Sequence, residues 1–184
     1  NIVNEKIYTE KDIFFHNERW HCYEAHSELS NPSKEDLLLK LNTAISTANT
    51  QLKEVSHVII TLGTSWAYRL IENDTIVANC HKVPQKKFLK ELLLIDEITN
   101  SLEAIITLIK SVNNNIEIIF TVSPVRHLKD GFVENMRSKS HLLSAIHQVV
   151  APRDHIHYFP SYEIMMDDVR DYRFYSSDMI HPNE

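Results

Sequence analysis

Asp178-Met-Ile-His181 is the residue pair in this sequence best suited to acid–base chemistry. A spacing of three brings both side chains to the same side of a tight loop or helical turn. A carboxylate so placed fixes the imidazole tautomer and supports its positive charge, leaving the other ring nitrogen to take a proton from a nucleophile. Taken alone the motif is common, and a cap plus an exposed histidine is its ordinary structural meaning. Its place after the last strand of an α/β pattern is what raises the catalytic reading. Two further polar segments hold equivalent places, Gly63-Thr64-Ser65 and Ser123-Pro124-Val125-Arg126-His127, each following an apolar run. Ligands of open α/β sheets bind beyond the carboxyl ends of the strands, so all three segments are expected on one rim. Gly63-Thr64-Ser65 could offer backbone N–H groups to a developing oxyanion. The bland reading of that segment is a turn closing a strand, with Ser65 as a local hydrogen-bonder.

Other reactive types are less specific. Asn79-Cys80-His81-Lys82 places a thiol beside an imidazole, but nothing in the sequence activates Cys80, and a buried free cysteine is the more frequent case. His16, His21 and His26, or His155 and His157, match no recognised ligand spacing, although alternate histidines on a strand do share a face. No metal site and no cofactor is expected. Cys22 and Cys80 lie far apart without a CxxC pattern, which argues against a disulfide framework and mildly favours a reducing cytoplasm. Gly63 and Gly131 are the only glycines, too few for a Gly-rich phosphate cradle. Each is expected to mark a backbone position that a side chain would block.

The elements that must position these residues alternate along the chain. His57–Gly63, Ile116–Val122 and His155–Phe159 are short apolar runs rich in β-branched and aromatic residues, as buried parallel strands are. Helical periodicity covers 34–55, with Ser33 as N-cap and Leu37, Leu38, Leu41, Ile45 and Leu52 on the apolar face. It returns over 96–112 through Ile98, Leu102, Ile105, Ile106 and Ile109. Over 134–150 it runs through Met136, Leu142, Leu143, Ile146 and Val149. Helix and strand in alternation predict a parallel sheet wound with crossover helices. Residues 12–29 predict one irregular strand near Trp20–Ala25, and 64–84 a hairpin of 65–70 and 75–79 turning through Glu72-Asn73-Asp74. With no repeat, linker or low-complexity tract, residues 1–184 read as a single domain.

Bulk properties exclude some partners. Formal charge is −6 with acids and bases interspersed, so there is no basic stripe for nucleic acid. No apolar run approaches the roughly 20 residues needed to span a bilayer, so no membrane partner is expected.

Taken in order, Gly63-Thr64-Ser65-Trp66, Asn79-Cys80-His81-Lys82-Val83-Pro84, Ser123-Pro124-Val125-Arg126 and Asp178-Met179-Ile180-His181-Pro182 resemble the GSCFA family, a branch of the SGNH/GDSL-type hydrolases. The resemblance covers almost the whole chain, and Asn135, Ser138 and Lys139 extend it along the helix after Gly131. It implies a three-layer α/β/α, flavodoxin-like parallel sheet with a strand order of about 2-1-3-4-5. It implies His181 as general base and Asp178 as its orienting acid. Gly63, Thr64 and Ser65 would fall on the oxyanion block, where Ser65 stands in place of the wider superfamily's asparagine. Asn79 and His81 would line the pocket, and His26, Ser123 and Arg126 are candidates for the substrate side.

The Gly-Ser-Cys-Phe-Ala segment that names the family, with its nucleophilic serine, does not occur in this sequence. The expectation is therefore a domain truncated at both ends, lacking its central strand and inactive by itself. The strand at 57–63 would then present an apolar edge. Another copy in a homo-oligomer, residues 18–27, or a segment outside the sequence is expected to cover it. The complete protein would be a serine esterase acting on an acyl or acetyl ester, of a small molecule or a carbohydrate. A carbohydrate-binding or scaffold module without chemistry is the alternative, and a metal-dependent hydrolase the third reading.

Overall fold

A computed structural model describes residues 1–183. In chain order its elements are β1 (Phe14–His16), β2 (Arg19–His21), α1 (Lys34–Glu54), β3 (His57–Leu62), β4 (Trp66–Leu70), β5 (Thr75–Val77), β6 (Phe88–Leu92), α2 (Ile95–Val112), β7 (Glu117–Val122), α3 (Phe132–Val150) and β8 (Ile156–Phe159). A helical turn, Ser161–Glu163, follows β8 and runs on into a π-helical turn over Ile164–Asp168. The fold is mixed α/β, as the alternation of periods predicts. It divides into two compact units, Asn1–Glu54 with Ala67–Glu91, and Val55–Trp66 with Leu92–Glu184.

In the first unit, β1 and β2 form a hairpin pairing His16 with Arg19. Asn17 and Glu18 make its two-residue turn, and both have positive φ, 46° and 60°. That is the backbone a type I′ turn needs to match the strand twist. Helix α1 starts where the Ser33 hydroxyl accepts the Asp36 N–H at 3.1 Å, an N-cap in the expected place. Its Leu37 and Leu41 pack with Tyr8, Ile13 and Cys22, and Leu38 and Ile45 flank them. A second sheet has the order β5-β4-β6. The hairpin expected at 64–84 is its β4–β5 pair, with Leu70 opposite Thr75; β6 is an addition that the sequence did not suggest. Leu70, Val77, Val83 and Phe88 form its core.

The second unit holds the parallel sheet, in the order β3-β7-β8. Leu62 pairs with Val122 and Phe120 with Tyr158, so the three strands end together at one rim. Ile118, Phe120 and Val122 on β7 are fully buried, as are Ala145, Ile146 and Val149 on α3. On α2 the buried residues are Ile98, Leu102, Ile106 and Ile109. Among the described residues β3 pairs with β7 alone, and its Ile59 is 66% exposed. Residues 18–27 do not extend this sheet, because β2 pairs with β1. No helix among the described residues is long and apolar enough to cross a membrane.

The first half of α3 departs from expectation. Met136, placed on the apolar face by periodicity, is half exposed, and the positions that turn inward are Asn135, Ser138 and Lys139. Ahead of this helix Gly131 has φ +91° and ψ 171°, a region open to glycine almost alone. Gly131→Ala is expected to lower stability by about 1–3 kcal/mol, read as a shift of the urea midpoint; an unchanged midpoint would show that the turn relaxes without cost. Gly63 is different. A Cβ there would meet His127 Nε2 at 3.4 Å, an ordinary contact, so this glycine does not mark a blocked position.

Candidate functional site

The Asp178–His181 loop is built by its own hydrogen bonds. Asp178 Oδ1 accepts the N–H of Ile180 at 2.9 Å and of His181 at 3.1 Å, while Met179 takes a left-handed φ of 59° to let the chain turn between them. Ser176 N–H donates to His181 O at 2.8 Å and closes the loop. Asp178 Oδ2 lies 2.6 Å from His181 Nδ1. That contact makes Nδ1–H the donor and leaves Nε2 as the free lone pair. The imidazole side chain is 58% exposed, so the ring is neither dry nor walled in.

The hydrogen bond from His181, then those from the Ile180 and His181 backbones, hold the Asp178 carboxyl down to about 2 from its ordinary 3.8. A depressed carboxylate contributes to the fold above its unfolded value and loses that contribution as pH falls through the folded one. The loop is therefore expected to keep its form above about pH 4 and to loosen as pH falls toward 2. The Asp178 carboxyl carbon, followed by NMR, should titrate with a midpoint near 2; one near 3.8 would mean that the pair does not form in solution.

The loop is fastened to the sheet rim by Arg126. Its backbone N–H donates to Ile180 O and its Nη1 to Met179 O, both at 3.1 Å. The guanidinium lies over the rings of Phe132 and Tyr175, 5.5 and 5.2 Å from their centroids. Arg126 also borders a cleft of about 370 Å³ shared with Met165, Met166, Arg170, Tyr172 and Tyr175. Ser123, three residues earlier, caps its own turn by accepting Val125 N–H at 3.2 Å.

Beneath the rim, the inward face of α3 ties the strand ends together. Asn135, Ser138 and Lys139 stand three and four residues apart on one helix face. Asn135 Oδ1 accepts His127 N–H at 2.8 Å. Ser138 Oγ accepts Ser65 N–H at 2.8 Å and bonds the Thr64 hydroxyl at 2.9 Å, while Ser65 Oγ donates to Ser138 O at 3.1 Å. Ser65, 2% exposed, thus has both its hydroxyl and its N–H engaged within the protein. Lys139 Nζ donates to Gly63 O and to Ser123 O, each at 2.6 Å.

Burial pushes the Lys139 ammonium down to about 8 from 10.5. Keeping it charged at neutral pH costs the fold on the order of 3 kcal/mol. Between about pH 8 and 10.5 the unfolded chain holds a proton that the folded chain has released, so this group makes the fold more stable as pH rises through that window.

His127, outside the candidate residues named from the sequence, lies against Gly63 and feels the charges of both Lys139 and His181. Burial first, then those charges, lowers its pKa. Its only sequence signal is its place in the loop after β7.

The remaining candidates belong to the first unit. Asn79 Oδ1 accepts His81 N–H at 2.8 Å. His81, 5% exposed and with φ 49°, pairs Nε2 with Cys22 O at 2.7 Å and stands 4.7 Å from the His21 ring. Its pKa is lowered by burial, and burial pushes the Cys22 thiol up. His26, mostly exposed, accepts Glu28 N–H at 3.3 Å as a helix cap. Among the described residues no three His, Cys, Asp or Glu side chains converge as metal ligands. His155 and His157 do share a face, and both bond Glu117, at 2.8 and 2.7 Å, at the strand end away from the rim.

The second unit thus defines a class: an α/β protein in which an acid-steered imidazole is fastened to the carboxyl rim of a parallel sheet. The chain belongs to the GSCFA family, whose sequence model matches residues 1–184. No curated protein and no solved structure matches it.

Proposed function

We propose that this chain carries the base-bearing part of an SGNH-type serine hydrolase that cleaves acyl or acetyl esters, of small molecules or of carbohydrates, with its nucleophilic serine supplied from outside these 184 residues. One observation carries the reading: His181 has Asp178 at 2.6 Å on Nδ1 and an exposed ring whose Nε2 has no partner among the described residues. An imidazole in that state is ready to accept a hydroxyl proton. The serine oxygen attacks the acyl carbon as its proton passes to Nε2, and the carbonyl oxygen becomes an oxyanion beside N–H donors of the Gly63–Thr64 turn. Collapse breaks the ester bond, and the leaving alcohol takes the proton from His181. Water then repeats the cycle on the acyl-enzyme.

The test is labelling by a fluorophosphonate probe. The protein made from its native reading frame should be labelled on one serine, and His181→Ala should abolish the labelling. The 184-residue chain alone should stay unlabelled. Labelling of the short chain that is lost on His181→Ala would move the nucleophile into it. A carbohydrate-binding module without chemistry is favoured by a different observation, the engagement of Ser65 with Ser138 where an amide donor would be needed. A full-length protein that binds an oligosaccharide yet resists the probe would support that reading instead.

A further inference from the structure

Lys139 is 1% exposed, and the chemistry just described makes no use of its charge. Its place in the ladder explains what it does. The register sets Leu62 opposite Val122, and Ser123 N–H donates to Leu62 O at 2.9 Å. Along a parallel pair, every second residue of a strand bonds the neighbour on that side. The next rung would therefore run from Thr64 N–H to Ser123 O. Lys139 Nζ occupies that acceptor, takes Gly63 O as well, and β3 ends at Leu62.

We propose that Lys139 is a positioning residue for the oxyanion side of the site, ending the β3–β7 ladder one rung early so that the Thr64 N–H is left for a substrate oxygen. This role rests on the hydrolase reading above. The neighbouring donor is already spent, since Ser65 N–H goes to Ser138 Oγ. The same hydroxyl holds the Thr64 side chain at 2.9 Å, so the turn is fixed while its first N–H stays out of the ladder. The ammonium also polarises the Gly63–Thr64 peptide from its oxygen side, which strengthens Thr64 N–H as a donor. The groups that titrate around it are His127 on the loop after β7 and the Tyr162 hydroxyl, whose ring lies 5.8 Å from Nζ. Burial alone depresses the lysine, with no carboxylate compensating its charge.

Two measurements test the proposal separately from the hydrolase reading. In this chain, the Thr64 amide should exchange with solvent freely, and Lys139→Met should slow that exchange at least about tenfold as the missing rung forms; Lys139→Arg should leave it free. An equally fast Thr64 amide in a folded Lys139→Met protein overturns the role. Should Lys139→Met not fold, the unaltered chain decides: the Thr64 amide shift must follow the lysine's own titration near pH 8, and a flat profile there overturns the role. In the full-length protein, Lys139→Met should lower kcat for p-nitrophenyl acetate about a hundredfold with KM little changed, and Lys139→Arg should restore part of it. An inactive full-length protein whose Thr64 amide still responds would sink the hydrolase reading and leave the lysine's hold on the turn standing. A full-length enzyme indifferent to Lys139→Met would do the reverse.

Discussion

Phe120→Ala is expected to cost the fold about 3–5 kcal/mol. The ring is fully buried at the centre of β7, between β3 and β8, with Ile118 and Val122 buried beside it on the same strand. α3 packs on β7 and β8 and brings Ala145, Ile146 and Val149, all fully buried. Backbone in a central strand is held by ladders on both sides and cannot move inward to fill the space, so most of the cavity should persist. A domain of this size is stable by about 5–15 kcal/mol in total, so the variant should be close to unfolding at physiological temperature. Urea denaturation gives the number through the midpoint at unchanged slope. Ile59→Ala, on the exposed side of edge strand β3, should change stability by less than about 0.5 kcal/mol. A loss below 1 kcal/mol for Phe120→Ala would mean that β7 is not the centre of this core.

On the proposed hydrolase reading, His181→Ala should lower kcat/KM for ester hydrolysis by the full-length protein about 10³-fold or more, since it removes the group that would accept and return the proton. Asp178→Asn is subtler and should be nearly as damaging. The Asn amide cannot support an imidazolium, and it can present N–H instead of oxygen to Nδ1, which would favour the wrong tautomer. The two losses should not add, because both remove one proton relay. The double variant should therefore match His181→Ala within a few-fold, a result that steady-state kinetics on the three proteins reads directly. Fully additive losses would mean that the acid and the ring act separately, and the relay would have to be abandoned.

Much of the second unit can be read from the sequence because two periods dominate it. The runs ending at Leu62, Val122 and Phe159 are β-branched and short, and helix periodicity between them fixes α2 and most of α3. The Asp178–His181 contact is legible for the same reason, since three residues of separation leave few other arrangements. What escapes is non-local. Nothing in the local pattern says that Lys139, a charged residue on an amphipathic helix, turns inward to meet Gly63 and Ser123, residues distant in the chain. Periodicity places Met136 inside instead, because an apolar scale cannot recognise a buried face made of Asn, Ser and Lys. The β1–β2 hairpin reads as one irregular strand in the sequence since its turn is Asn17-Glu18, and Glu18 holds a positive φ that a glycine would advertise. Strand β6 is not legible in the sequence because Phe88-Leu-Lys-Glu-Leu lacks alternation clear enough to separate it from a loop.

The path of the chain between the two units has a consequence for how this protein can be taken apart. Neither unit is one continuous stretch: residues 67–91 are spliced into the sequence of the second. The splice points are neighbours, because Leu93 N–H donates to Ser65 O at 3.0 Å. A short bridge could thus replace the spliced segment without stretching the parallel sheet, whereas no single cut can release both units whole, because the first would always lose either its 1–54 or its 67–91 part or carry residues of the second.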